Sequence, residues 1–297
     1  MQGRVLITGI NGFAGHYVSA HLAAEGYQIF GTAHADLTQS ADRVYNVNLL
    51  DAPALNDVVS QVQPTHVVHL AAVSSVTHGN VAEIYDTNIV GTSNLLKALS
   101  RLTAAPISII LASSANVYGN STKGVLSEVD DVNPANDYAV SKIAMEYMSR
   151  QFAENLNLIT VRPFNYTGRG QTENFLIPKI VNHFRSRKST IELGNIEVSR
   201  DFSDVRMVTK YIGRLLASDK AIDQVYNICS GRPFSLGQII AYCEQVTGHK
   251  IEVRINPDFV RANEIRSLVG NPEKIQAAVG NVSGFNIEET LSWMLSA

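Results

Sequence analysis

The first fifteen residues constrain the fold more than any other stretch. Arg4-Val5-Leu6-Ile7 is a short apolar run that ends in Thr8-Gly9-Ile10-Asn11-Gly12-Phe13-Ala14-Gly15. Behind the glycines, Val18, Leu22 and Ala23 recur at helical spacing, so the segment reads strand, tight turn, helix. Each glycine has its own task in such a unit. The first turns the chain, the second lets backbone approach a pyrophosphate, and the third lets helix and strand pack closely. Phosphates at this place rest on the N–H groups of the helix N-terminus. A doubly wound, parallel α/β sheet of the Rossmann type presents such a turn. Gly9, Asn11, Gly12, Phe13 and Gly15 are therefore the first candidates for cofactor contact.

Further strands follow at the expected intervals. Tyr27-Gln28-Ile29-Phe30 precedes Gly31-Thr32-Ala33-His34. NAD-binding sheets often carry an acid here to hold the ribose 2′-OH. With glycine in its place nothing repels a 2′-phosphate, so NADP(H) is favoured over NAD(H), with His34 or Arg43 available to contact it. Asn48 and Leu49 close the next strand, Asn48 either facing the adenine edge or capping the turn. His66 to Ala72 reads as a buried parallel strand. Leu70, Ala71 and Ala72, then Ser74 and Ser75, stand at its carboxyl end, where open α/β sheets bind ligands. Asn88 opens an amphipathic helix, and Ile107 to Leu111 is another central strand. Ser114, just beyond it, is placed to donate a hydrogen bond to a reacting oxygen.

In Tyr138-Ala139-Val140-Ser141-Lys142 a phenol and an ammonium are four residues apart, on one face if the stretch is helical. A tyrosine has an ordinary pKa near 10 and is a reluctant acid at neutral pH. A fixed positive charge beside it is expected to lower that value and make it a proton donor for a carbonyl oxygen.

The glycine turn, Ser114 and Tyr138-x-x-x-Lys142 together resemble the extended short-chain dehydrogenase/reductases, most of which act on nucleotide sugars. The resemblance runs over nearly the whole chain. It implies that Ser114, Tyr138 and Lys142 are catalytic, and that Lys142 also holds the nicotinamide ribose. Asn88 matches an Asn of the same family helix. Residues 1–165 with about 203–229 would form an NADP-binding Rossmann domain, and about 166–202 with 230–297 a smaller α/β lobe for the nucleotide sugar.

Leading into that lobe, Arg162-Pro163-Phe164-Asn165 is similar to the segment where the family's chain crosses to the substrate, with Asn165 at the sugar diphosphate. Arg200 sits where members present an Arg to the diphosphate, a role that suits its bidentate fork. Arg261 and Glu264 resemble the grip of GDP-sugar enzymes, on phosphates and ribose hydroxyls respectively. Trp293, on the terminal helix, reads as core packing.

The family holds dehydratases, epimerases and reductases on one scaffold, so fold alone does not decide the reaction. Its 4,6-dehydratases place an acid just past the catalytic Ser/Thr, where this chain has Ala115 and Asn116. Its GDP-fucose synthases place a Cys at the position of Asn116 and a His at that of Leu176. What remains is a 4-ketoreductase or a 4-epimerase. Pro163-Phe164-Asn165, Val198 to Phe202 and Tyr226 to Gly231 are most similar to GDP-6-deoxy-4-keto-D-mannose reductases, which form GDP-D-rhamnose. Reductases of related GDP-keto-sugars (6-deoxy-heptose or talose-forming) and NDP-sugar 4-epimerases are the alternatives. A non-catalytic dinucleotide sensor of the NmrA type would usually lack the Tyr/Lys pair kept here.

Composition narrows the partners. A net charge of −3, from 24 basic and 27 acidic residues, argues against a nucleic-acid surface. Two cysteines imply no disulfide framework, and the eight histidines are too scattered for a metal site. With no leader-like start and no apolar run approaching a membrane span, a cytoplasmic protein is expected. The helices around 88–101 and 137–152 carry more apolar side chains than one buried face needs, which points to a homodimer.

Overall fold

The computed structural model describes residues 2–34, 43–74, 80–121, 123–259 and 267–296. Strands are β1 Arg4–Thr8, β2 Gln28–Ala33, β3 Val44–Asn46, β4 His66–His69, β5 Ser108–Ala112, β6 Leu158–Pro163, β7 Asn165–Thr167, β8 Thr190–Leu193, β9 Ser199–Asp204, β10 Gln224–Ile228, β11 Pro233–Ser235, β12 Glu252–Ile255 and β13 Ser267–Leu268. Helices are α1 Phe13–Ala24, α2 Ala52–Val62, α3 Val81–Tyr85, α4 Thr92–Leu99, α5 Asp137–Ser149, α6 Leu176–Arg185, α7 Val205–Leu216, α8 Leu236–Thr247, α9 Glu273–Val279 and α10 Ile287–Leu295.

The central sheet has seven strands in the order β10-β6-β5-β4-β1-β2-β3, all parallel. Helices cover both faces, which is why β4 and β5 are buried at nearly every position and β1 at all but its first, rather than alternately. On one face α1 and α7 pack Val18, Leu22, Tyr211 and Leu215 against Val5 and Ile7. Ala23, expected on that packing face, is exposed. On the other face α2, α4 and α5 supply Leu55, Val59, Leu95, Leu99 and Met145. Strand order reverses between β1 and β4, and the crevice beyond the carboxyl ends there is where such sheets take ligands.

The smaller sheet is built on β9, which pairs β7 and β13 in parallel and β11 antiparallel. With the parallel pair β8–β12 it is closed by α6, α8 and α10 around Ile180, Phe184, Ile239 and Leu291. Sequence boundaries put all of 230–297 in this lobe. In the structure Ile275 and Val282 lie instead in the core of the larger sheet, with Tyr226 and Ile228 of β10. Among the described residues no helix is long and apolar enough to cross a membrane.

Candidate active site

The glycine turn forms a tight cradle at the switch point. Gly9 has φ +71°, and a Cβ there would stand 2.9 Å from the Ala71 backbone. A Cβ on Gly15 would come within 2.4 Å of the Gly9 carbonyl. Helix α1 has no side-chain cap and no acid in its first turn. Its leading N–H groups, left over by helix geometry, thus suit an anion such as a pyrophosphate. These features fit a dinucleotide held by Gly9, Asn11, Gly12, Phe13 and Gly15.

On the adenosine side one expectation needs correcting. Strand β2 continues to Ala33, so Gly31 is inside the strand rather than past its end. A Cβ on Gly31 would stand 2.6 Å from Ile10 side-chain atoms, so packing explains the glycine. His34, a candidate for a ribose or 2′-phosphate contact, is exposed at the strand end, with 35–42 outside the described residues. Arg43 lies with its guanidinium carbon 5.8 Å from the Phe30 ring centroid. Asn48 Oδ1 accepts from Leu50 N at 2.9 Å, the turn-capping geometry. Leu49 is buried in the core, its carbonyl accepting from Asn94 Nδ2 at 3.0 Å. Leu70, Ala71 and Ala72 follow β4 half-buried, Ala71 N donating to Thr8 Oγ1 at 3.2 Å.

The structure brings Ser114, Tyr138 and Lys142 together at the carboxyl end of β5. Asn136 caps α5 by accepting from Ala139 N at 2.9 Å, and Tyr138 and Lys142 then fall on successive turns of one face. Ser114 Oγ accepts from Asn116 N at 3.2 Å and Asn116 Nδ2 at 3.1 Å. That leaves its own proton available to the neighbouring Tyr138 phenol. Burial pushes the phenol up to about 12, with the Ser114 hydrogen bond opposing and nearby Tyr166 adding to the rise. This reverses the expectation that Lys142 lowers it. The Lys142 ammonium donates to Ala112 O at 2.8 Å, while its nitrogen is 5.9 Å from the Tyr138 ring centroid. Desolvation of the phenolate therefore dominates. Burial also brings Lys142 down to about 8, opposed by the Glu146 carboxylate.

A second buried layer supports these groups. Asp86–Gly91 forms a π-helical turn ahead of α4, and π turns of this kind are frequent at functional sites. It buries Asn88, whose Oδ1 accepts from Val73 N at 2.9 Å and whose Nδ2 donates to Ser141 Oγ at 2.9 Å. Thr92 Oγ1 donates to Asn88 O at 2.8 Å, so it accepts from His69 Nε2–H, also at 2.8 Å. Thr8 Oγ1 donates to His69 Nδ1 at 2.7 Å. His69 is thereby fixed as the neutral Nε2–H tautomer, and burial with the neighbouring Lys142 charge holds it down at about 3. The isolated sequence segments carried no signal for this Thr8–His69–Thr92–Asn88 chain, because four elements contribute to it.

Of the substrate candidates, Asn165 opens β7 opposite Phe202 of β9, and Arg200 lies two residues earlier on β9. Arg200 Nη1 donates to Ser199 O at 2.9 Å. Ser74 is exposed, whereas Ser75, Arg261 and Glu264 lie outside the described residues. Sequence reasoning passed over Asp201, which is fully buried. Its oxygens accept from Ser230 N at 2.8 Å, Ser230 Oγ at 2.6 Å, Gly231 N at 2.8 Å and Gly270 N at 3.3 Å. It fastens two crossing segments to the strand that carries Arg200.

The chemistry available is a buried, protonated phenol beside a hydroxyl and an ammonium, a set suited to protonating an oxygen. The position after Ser114 holds the buried side chain of Ala115. The next holds the amide of Asn116, tied to Ser114 itself. Neither is an acid.

A family model described as GDP-mannose 4,6 dehydratase matches residues 6–294. The chain is 33% identical over 280 residues to a GDP-6-deoxy-D-talose 4-dehydrogenase of Aggregatibacter actinomycetemcomitans, covering 94% of this chain and 92% of that protein. It is 30% identical over 307 residues to a GDP-6-deoxy-D-mannose reductase of Pseudomonas aeruginosa, covering 100% and 97%. The structure of RMD from Pseudomonas aeruginosa complexed with NADPH superposes with a TM-score of 0.86 at 29% identity, covering 99% and 96%.

Proposed function

Because the chain belongs to the GDP-mannose 4,6 dehydratase family of extended short-chain dehydrogenase/reductases, we propose that it reduces the C4 keto group of a GDP-4-keto-6-deoxy-sugar, converting GDP-6-deoxy-4-keto-D-mannose to GDP-D-rhamnose. The coarser statement, an NAD(P)-dependent oxidoreductase that modifies a GDP-deoxysugar, is supported by both relatives. The observation that carries the finer one is the buried Ser114–Tyr138–Lys142 cluster with Ala115 and Asn116 behind it. It keeps a proton donor for an oxygen and lacks the acid a dehydration needs. The 33% likeness to a talose 4-dehydrogenase favours one second reading, the opposite C4 configuration of the product.

In this reading Tyr138, protonated at neutral pH, gives its proton to the C4 oxygen as that oxygen gains charge. Ser114 donates a hydrogen bond to the same oxygen and then to the phenolate left behind. Lys142 steadies that phenolate with its charge and offers donors to the nicotinamide ribose. Asn165, Arg200 and Arg261 hold the diphosphate and Glu264 accepts from the nucleotide ribose hydroxyls, aided by Ser74 and Ser75. NADPH, held at the glycine cradle and by His34, supplies the hydride when bound, and the Pseudomonas likeness supports that cofactor.

The protein is inferred to act in the cytoplasm as a homodimer. Val90 before α4 and Tyr147 on α5 are 47% and 55% exposed, an apolar surface suited to pairing about a two-fold axis. Incubation with NADPH and GDP-4-keto-6-deoxymannose, with the product identified by NMR, tests the reaction. A reductase consumes one NADPH per sugar. An epimerase would show no net oxidation, and that result would reject the proposal.

A further inference from the structure

Consecutive residues at the end of β5 are fastened to successive turns of α5. The Ala112 carbonyl accepts from Lys142 Nζ at 2.8 Å. The Ser113 hydroxyl donates to Glu146 Oε1 at 2.5 Å. The Ser114 hydroxyl lies beside the Tyr138 phenol, near enough to oppose the rise of its pKa. Positions 138, 142 and 146 are one helical turn apart, so a single face of α5 sets the register of the whole strand end.

Glu146 is also gripped from β6. Arg162 Nε donates to Glu146 Oε1 at 2.9 Å and Nη2 to Oε2 at 2.7 Å, the forked geometry that fixes a carboxylate in direction as well as place. Arg162 is held in turn, Nη1 donating to Tyr118 OH at 3.0 Å and Tyr118 OH to Asn227 Oδ1 at 2.7 Å. Side-chain exposure is 3% for Glu146 and 6% for Arg162. A buried ion pair is weak as a source of net stability, because apolar side chains of similar volume often do as well. What apolar side chains could not do is hold Ser113 by its hydroxyl while leaving a negative charge one turn from Lys142.

We propose that Glu146 is a positioning residue for the reaction, holding Ser113, and through it the Ser114 hydroxyl, in register with Tyr138 and Lys142. This rests on the reading of those three as the reacting groups. The groups facing Lys142 are Tyr138 and Glu146 on its own helix and neutral His69 on β4. Arg162 on β6 faces it across Glu146. Of the nearer groups, Glu146 is the one whose charge favours the ammonium. Its removal thus affects both the geometry of Ser114 and the protonation of Lys142.

The test compares wild type, Tyr138→Phe, Ser113→Ala and Glu146→Gln in NADPH-dependent reduction, together with an NMR titration of the labelled Lys142 ε-carbon, which needs no substrate. Glu146→Gln is expected to move the Lys142 midpoint to lower pH and carry the basic limb of kcat/KM with it. It should also lower kcat by about tenfold to a hundredfold, the scale of a misplacement near 1 Å, with KM changed by less than about twofold. Ser113→Ala, which keeps the ion pair, should lower kcat by about tenfold and leave the Lys142 midpoint in place. An unmoved midpoint in Glu146→Gln overturns the proposal. So does wild-type kcat in Ser113→Ala, which decides the matter if Glu146→Gln fails to fold. Full activity in Tyr138→Phe would instead reject the functional reading, while the titration still reports on Glu146.

Discussion

The Lys142 ammonium donates to the Ala112 carbonyl at 2.8 Å, and the ring centroid of Tyr138 is 5.9 Å from the same nitrogen. Lysine and tyrosine thus share a site without a direct bond, and each titrates according to its own burial. With Lys142 near 8 and Tyr138 near 12, the acid stays protonated throughout the working range while the ammonium does not. Activity should be flat around neutrality and fall above about pH 8 with the loss of one proton. Stability should move the other way. Between about 8 and 10 the unfolded chain binds the lysine proton that the native state has released, so this group makes stability rise with pH. Rate profiles and urea unfolding of wild type against Lys142→Met check both signs.

Tyr138→Phe removes the phenol proposed as the proton donor, and with it the group that faces the Ser114 hydroxyl. Turnover should drop by about two to four orders of magnitude with cofactor binding nearly intact. Lys142→Met should damage both. Stopped-flow reduction and cofactor titration by fluorescence separate the two effects, and near-normal turnover in Tyr138→Phe would take this site out of the reaction.

His69 should make the protein acid-sensitive. Burial holds its folded pKa at about 3, well below the unfolded value of 6.5. As pH falls from 6.5 towards 3 the unfolded state takes up a proton that the native state refuses. Stability is lost at up to about 1.4 kcal/mol per pH unit. Urea midpoints between pH 7 and 4 should show a shallower slope for His69→Gln than for wild type. Equal slopes would mean that this ring is not held neutral.

Segments that fold locally were legible in the sequence. Strand, glycine turn and helix at residues 4–24 appear as read, because periodicity and turn chemistry are near-neighbour properties. So does the helix carrying Tyr138 and Lys142. What could not be read depends on which strands become neighbours. Glu146 had a signal, being one turn past Lys142, but Arg162 reaches it only because β6 lies beside β5. Asp201 stood within a quoted motif, yet its donors come from segments brought in by β11 and β13. The sign of the Tyr138 shift was misjudged for a related reason. Sequence shows a charge four residues away, whereas the burial that outweighs it exists only in the packed structure.

Cofactor choice turns on the end of β2. With His34 exposed there and Gly31 committed to packing on Ile10, NADPH should bind at least as well as NADH. Fluorescence titration with both nucleotides checks this. A strong preference for NADH would overturn the reading of His34 as a 2′-phosphate contact.

A sugar nucleotide brings two phosphates to a chain whose net charge is −3, so a local positive site must offset the unfavourable field. Arg200 is the residue proposed for this. It lies on β9, two residues before the partner of Asn165, and its neighbour Asp201 secures the strand by four hydrogen bonds. A charge-assisted contact to phosphate is worth roughly 1.5–3 kcal/mol, so Arg200→Met should raise KM by about tenfold to a hundredfold. If the contact is equally strong in ground and transition states, kcat hardly changes. NADPH affinity should be untouched if, as proposed, the cofactor phosphates rest on the α1 cradle. Calorimetry with GDP, UDP, dTDP and CDP completes the comparison: GDP should bind best and lose most in Arg200→Met. A preference for UDP or dTDP would move the substrate out of the GDP-sugars while leaving the reduction chemistry of Tyr138 in place.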